Sequence, residues 1–330
     1  MKDIFGNITD VEGVKVGVIT DKEAVTGCTV VTVEGGAVGG VSVKGGAPST
    51  RETALLDPLC RIDEVHGVTL SGGSAFGLDV PGGVMKYLEE KGQGLKRGPY
   101  YIPIVPGAVI FDLFLGNGKI KPDASWGYKG AASARAGEIP EGSQGAGTGA
   151  TVAKALGLES AVKAGQASLS RITPGGLRVG VLVVVNALGD VVDREGKLLA
   201  GPRNLKTGEM RTTLEVFKQG DLEMEKNGSL LFREKDLGLN TSLAVVATNA
   251  RLNKVEANRL AAVAHNGLAT AIRPLHTVWD GDAIFALATG EVPSPVDFVG
   301  ALAMELLEEA VPRALQLAET LGGVPALKDL

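Results

Sequence analysis

The clearest signal along the chain is an apolar run from Val179 to Val185, inside "GLRVGVLVVVNALG" (176–189). A run with no polar side chain predicts a strand buried on both faces. "SLAVVAT" (242–248) and "DAIFALATG" (282–290) predict two more buried strands. Near the start, "GVKVGVI" (13–19), "CTVVTV" (28–33) and "AVGGVSV" (37–43) read as three short strands separated by turns, and "HGVTLSGG" (66–73) as a strand ending in a glycine turn. The period changes in "KVEANRLAAVAHNGLATAI" (254–272), where Leu260, Val263, Ala264, Leu268, Ala271 and Ile272 fall on one helical stripe. Residues 296–321 predict a long helical segment that Pro312 kinks or breaks. "SAFGLDVPGGVMKYLEEKG" (74–92) reads as a helix, and "QGAGTGATVAKALG" (144–157) as a glycine loop running into a short one. Strands and helices come in groups rather than in strict alternation. That favours an α+β layered sandwich over a doubly wound sheet.

Composition narrows this picture. Glycine is the outlier, at 47 of 330 residues, scattered in pairs and triplets between apolar runs, so it marks turns and close backbone approaches. The net charge of −5 comes without a basic block, which argues against a nucleic-acid partner. No apolar run reaches the length of a membrane span, and "MKDIFGNITD" lacks the apolar core of a secretion signal. The two cysteines, Cys28 and Cys60, have no paired spacing and read as buried thiols in a reducing compartment. The expectation is a cytoplasmic protein without a membrane partner. Residues 201–240 break the pattern. Fourteen of these forty are charged, which predicts an exposed loop or weak helix. It leads straight into Asn240–Thr241.

The candidate chemistry is selective. His66, His265 and His276 lack ligand spacing, so neither a metal nor another cofactor is expected, and His265 on its apolar helix reads as a structural residue. No G-x-S-x-G elbow is present. "GAGTG" (145–149) departs from G-x-G-x-x-G at Ala150 and reads as a glycine turn, or as amides facing an anion or oxyanion. Thr241 opens a different route. An internal threonine hydroxyl is a poor nucleophile, but a threonine at a chain terminus can use its own α-amine as base. At pH 7 roughly a tenth of such an amine is free base, against well under a thousandth of an ordinary lysine. Thr241 acquires that amine only if the Asn240–Thr241 bond is cut. From spacing alone, a polar strand edge explains the same residues.

Taken together, "ITDVEGVKVG" (8–17), "TGCTVV" (26–31), "KGGAPSTRETALLDP" (44–58), "LSGGSAFGLDVPGGVMKYLEEKG" (70–92), "PIVPGAVIFDL" (103–113), "GAGTGATV" (145–152), "NTSLAVVATNA" (240–250) and "HTVWDGDAIFALATG" (276–290) resemble the L-aminopeptidase/D-esterase family, with the β-peptidyl aminopeptidases among its relatives. The blocks span nearly the whole chain in family order. The resemblance implies a four-layer α-β-β-α sandwich like that of N-terminal-nucleophile hydrolases. It also implies one domain over 1–330 that cuts itself into 1–240 and 241–330, and a homo-oligomer. By the same resemblance Thr241 is the nucleophile, Asn240 precedes the cut, and Asn186 donates to the oxyanion. Asp280 and Asp282 of "DGD" stand where other members carry serine and glutamate, and would orient the terminal amine. Gly72, Gly73, Gly147 and Gly149 would shape the substrate pocket. The family's oxyanion tyrosine has no counterpart in "GTGATVAKAL"; a backbone amide or Lys154 is the available substitute. The implied activity is an aminopeptidase, amidase or esterase on a small peptide, amide or ester. Its rivals are an acyltransferase of the ornithine acetyltransferase type and an uncleaved binding protein.

Overall fold

The structure, a computed structural model, describes residues 6–219 and 240–330. In chain order its elements are β1 (Val14–Asp21), β2 (Thr26–Val43), β3 (Thr50–Arg51), β4 (Glu64–Ser71), α1 (Val80–Glu90), β5 (Leu95–Arg97), β6 (Tyr100–Ile102), β7 (Gly107–Val109), α2 (Ala124–Ser133), β8 (Thr151–Val152), β9 (Val162–Lys163), β10 (Gln166–Ile172), β11 (Arg178–Val184), β12 (Asp190–Val192), β13 (Leu198–Ala200), α3 (Thr213–Gln219), β14 (Leu243–Ala250), α4 (Lys254–Ala271), β15 (Ile272–Arg273), β16 (Ala283–Val292) and α5 (Val296–Gln316).

β2 joins two halves of the main sheet. Its first half pairs with β1 and β4, and its second half with β16, which continues through β14 and β11 to β10. The alternation along the strands then separates three cores. Val181 and Val183 of β11, Ala244 and Val246 of β14, and Ile284 and Ala286 of β16 face α4 and α5. Their neighbours Leu182, Val184, Leu243, Val245 and Phe285 turn the other way, onto Val31, Val33, Val68 and Leu70 of the opposite half. On the far side of that half, Cys28 and Val30 meet Val80, Val84 and Leu88 of α1 and Ala131 of α2. The layers are therefore α-β-β-α, as the sequence motifs imply. The double-sided apolar runs follow from it, because the central strands are covered on both faces. Each Val, Leu or Phe fully buried there contributes about 1.5–3 kcal/mol.

Glycine serves this layering by close approach. A Cβ on Gly83 of α1 would lie 1.6 Å from the Ala124 carbonyl, and one on Gly127 of α2 would lie 1.9 Å from that of Val80, so α1 and α2 pack backbone to backbone.

Several expectations change. The two strands read at 28–33 and 37–43 are one strand, because Gly35 and Gly36 form a bulge with a register shift between Thr32 and Ala37 instead of a turn. The helix read at 74–92 opens with a 3₁₀ stretch, Ser74–Asp79, and becomes α-helical only at Val80, next to Pro81 in the first turn. After "GAGTG" the chain enters β8, not a helix. Pro312 lies inside α5, which continues to Gln316. Cys28 is buried and burial pushes its thiol up to about 12, whereas Cys60 is half-buried. In the charged 201–240 segment, α3 forms the helical part; residues 220–239 lie outside the described residues. No helix among the described residues is long and apolar enough to cross a membrane.

Candidate active site

The topology gathers the site. β14 runs parallel to β16 and antiparallel to β11. The residues just before β14, just before β16 and just after β11 therefore share one end of the sheet. These are Asn240–Ser242, Asp280–Asp282 and Asn186. α4 forms the crossover between the two parallel strands, and the Asn253–Glu256 capping box fixes its start. All six of the polar residues Asn186, Asn240, Thr241, Ser242, Asp280 and Asp282 are buried.

Thr241 is pinned from two directions. Its amide donates to the Asn186 carbonyl at 2.7 Å, and its Oγ1 donates to the Asn240 carbonyl at 2.5 Å. That same Asn240 carbonyl also accepts the Gly281 amide at 3.0 Å. Asn240 pairs with Asp280 as an isolated parallel bridge. The hydroxyl thus lies against the carbonyl of the preceding peptide, whose oxygen already faces a main-chain donor.

The acid pair sits on the turn before β16. Asp280 accepts Thr277 N and Oγ1 on Oδ2, at 2.8 and 2.6 Å, and the Leu188 amide on Oδ1 at 3.5 Å. Burial, reinforced by the Asp282 carboxylate, raises the Asp280 carboxyl above its ordinary range. Asp282 accepts the Ser242 amide on Oδ1 at 2.6 Å, while Oδ2 faces His276 Nδ1 at 2.7 Å. The spacing of the histidines gave no hint of this last contact. The only signal was the position of His276 six residues before Asp282, on one short turn.

The donor side is built around Asn186. Its Oδ1 accepts the Thr151 amide at 3.1 Å and Lys154 Nζ at 2.9 Å, which orients the amide group. Burial drives the Lys154 ammonium down to about 7, against the pull of Asp280 and Asp282. Lys154 and Thr151 line a small apolar-walled pocket with Phe111, Phe114, Leu158 and Gly149.

Gly149 is the one of the four glycines that lines this pocket, and a Cβ there would lie 2.3 Å from Asp112 Cβ. Gly72, Gly73 and Gly147 pack against other protein atoms: Asp112 and Thr26, Pro122 and Lys121, and Gln166 respectively. Gly145–Gly149 is a buried 3₁₀ turn. Its amides at Gly145, Ala146 and Gly147 donate to Thr20, Thr29 and Gln144, so those three are not presented to an anion. His265 is held at Nε2 by the Ser42 carbonyl, and burial takes its ring down to about 4.

Residues 6–327 match Peptidase family S58. A Mycobacterium tuberculosis protein named as an uncharacterized aminopeptidase is 38% identical, over 99% of this chain and 98% of its own. A 6-aminohexanoate-oligomer endohydrolase of Paenarthrobacter ureafaciens is 29% identical, over 92% of this chain and 84% of its own. Two solved structures share the fold. One is a β-aminopeptidase from Burkholderia sp., with a TM-score of 0.67 and 22% identity, covering 99% of this chain and 92% of that one. The other is an L-aminopeptidase D-Ala-esterase/amidase from Ochrobactrum anthropi, described as a variant of the Ntn hydrolase fold, with a TM-score of 0.68 and 20% identity, covering 98% of this chain and 90% of that one. With the layered fold, this near end-to-end match settles the classification: the chain belongs to peptidase family S58 and is a hydrolase of the aminopeptidase type, acting on peptide or amide bonds.

Proposed function

We propose that the chain cuts itself between Asn240 and Thr241, and that the freed Thr241 is the nucleophile of an aminopeptidase, amidase or esterase for small aminoacyl substrates. The observation that carries this reading is the 2.5 Å contact of Thr241 Oγ1 with the Asn240 carbonyl, on a peptide that Gly281 N–H also holds. Oγ1 attacks the Asn240 carbonyl carbon, and the developing oxyanion draws on the Gly281 amide. The C–N bond breaks, the hydroxyl proton ends on the Thr241 nitrogen, and an ester links the two pieces. Water hydrolyses that ester, leaving an Asn240 carboxylate and a free Thr241 amine and hydroxyl, with chains 1–240 and 241–330.

In the mature site the Thr241 amine takes the hydroxyl proton as Oγ1 attacks a substrate acyl carbon, and returns it to the leaving amine. Water then releases the acyl group. Asn186 donates to the oxyanion from Nδ2, which stands 3.5 Å from the Phe111 carbonyl before substrate enters, and Lys154 lies behind it where the family places a tyrosine. Lys154 donates to Oδ1 and so polarises the amide whose Nδ2 would face the charge. Asp280 and Asp282 orient the new amine. Small amide substrates fit the names of the relatives, which include amino-terminal peptidases and an amide-oligomer hydrolase. A homo-oligomer of the paired chains completes the reading.

Intact mass and N-terminal sequencing test it. The wild type is expected as two chains, the smaller beginning Thr-Ser-Leu and releasing p-nitroaniline from aminoacyl p-nitroanilides. Thr241→Ala is expected to remain one chain of 33.9 kDa, without activity. A folded wild type that stays intact, or a small chain with another first residue, removes Thr241 from the role.

A further inference from the structure

His276 lies outside the proton transfers described above, yet its surroundings are built with care. It sits on the turn between β15 and β16 with φ of +60°, a left-handed conformation uncommon outside glycine and adopted more readily by Asn, Asp and His than by other side chains. That backbone brings the residue's own N–H and its ring Nδ1 onto the same atom. Both face Asp282 Oδ2, at 3.3 and 2.7 Å. With Oδ2 held, Oδ1 has one direction left, and there it meets the Ser242 amide at 2.6 Å.

The ring cannot easily turn away. His265 packs edge-on against it, with centroids 4.7 Å apart at 75°, and His265 is itself tied to the Ser42 carbonyl. The Asp282 side chain is fully buried, and His276 is the sole ionisable partner within ion-pair distance of it among the described residues. The row His276–Asp282–Ser242 therefore fixes the main chain one residue after Thr241.

We propose that His276 is a positioning residue: by donating from Nδ1 to Asp282 it sets the Ser242 amide, and through it the attack geometry of Thr241. This rests on the reading of Thr241 as nucleophile. A His276 donor matters for rate and not only for fold, because an off-line hydroxyl slows attack even where the site is otherwise intact.

The test uses three variants that all tolerate positive φ. H276N keeps an N–H near the Nδ1 position. H276D has the same shape but no donor when ionised. H276G removes the side chain. The full chain is made in a short cell-free translation pulse, and the decay of the 330-residue band is followed on a denaturing gel. H276D and H276G are expected to cleave about tenfold or more slowly, the loss typical of a hydrogen bond to a charged group, and H276N within about threefold of wild type. In the mature enzymes kcat for an alanine p-nitroanilide should fall in the same order, with KM unchanged.

H276N as slow as H276D overturns the proposal, and so does H276G or H276D as fast as wild type. If H276G does not fold, the isosteric pair H276N and H276D decides alone. A wild type that never cleaves, or a Thr241→Ala chain that does, fails the Thr241 reading itself. Normal Thr241-dependent cleavage with no response at position 276 fails only this inference.

Discussion

The two flanks of Thr241 are made of different materials. On the acid flank, Asp280 and Asp282 are satisfied largely by main-chain amides of Leu188, Thr277, Ser242 and His276, and by neighbours on one short turn. On the donor flank, Asn186 is oriented by Thr151 and Lys154, which come from a segment more than thirty residues earlier. The acid flank draws its amides from three stretches of chain: Thr277 and His276 on its own turn, Ser242 forty residues earlier and Leu188 ninety-two residues earlier. One flank holds buried carboxyls. The other holds a buried lysine that burial has brought down to about 7. Each flank can therefore be disabled separately.

The largest effect expected in the mature enzyme comes from Lys154→Met. On the proposed reading the ammonium acts through Asn186 on developing negative charge, so kcat/KM should fall by about 10²-fold. The pH profile sharpens the point. On the same reading the Thr241 amine must be free base, so activity is expected to rise with pH through the ordinary α-amine range near 7.7–8.0. Lys154 must be charged, and its protonated fraction falls as pH passes about 7. Wild type should give a bell, and Lys154→Met should lose the alkaline fall. Stability carries the same signature. The unfolded chain keeps the lysine proton up to the ordinary lysine range, while the folded chain releases it from about 7. Wild-type stability therefore rises with pH between those values, and the variant loses its share of that rise. Lys163, also brought to about 7 by burial, supplies a similar share that the variant keeps. Chemical denaturation at pH 7 and pH 9.5 measures this difference. A variant with an unchanged bell would mean that the donor flank does not use this charge.

The same contrast explains what was legible in the sequence. The turn "DGD" stands out in the sequence because the apolar run after it, Ala283–Leu287, announces the strand that follows. The apolar run after Thr241 likewise announces the strand it precedes, β14. The central strands β11, β14 and β16 were plain because burial on both faces leaves unbroken apolar runs. Lys154 could be named only as a stand-in for a missing tyrosine, since nothing in "ATVAKALG" says that β8 will bring it to the end of β11. His276 has no metal-ligand spacing to mark it; its partner is a carboxylate six residues on, a contact that only the turn reveals. Two glycines in a row at Gly35–Gly36 suit a turn or a bulge, and only the register with β4 and β16 separates them.

On the acid flank, Asp282→Asn is expected to have a smaller effect, about tenfold on the rate of chain cleavage. The amide oxygen can still accept from Ser242, but its NH₂ then faces the two N–H groups of His276. If the two residues act as a unit, adding H276G to Asp282→Asn should slow cleavage little further. Fully additive losses would mean that the flank is not one device.

The smallest effect tests how far the donor flank relies on backbone. Thr151 reaches Asn186 Oδ1 with its amide at 3.1 Å and its hydroxyl at 3.4 Å. The longer contact is the weaker one, and Lys154 Nζ at 2.9 Å already occupies the same oxygen. Thr151→Val keeps the amide, the β-branched shape suited to β8 and the side-chain volume, and removes only the hydroxyl. The cost should be about twofold or less in kcat/KM, with the pH bell unchanged. A tenfold loss would shift the weight of the donor flank from the lysine and the main chain to the hydroxyl. Pairing Thr151→Val with Lys154→Met would then locate it, because a hydroxyl that polarises Asn186 on its own must still matter when the ammonium is gone, whereas one that merely steadies Lys154 must not.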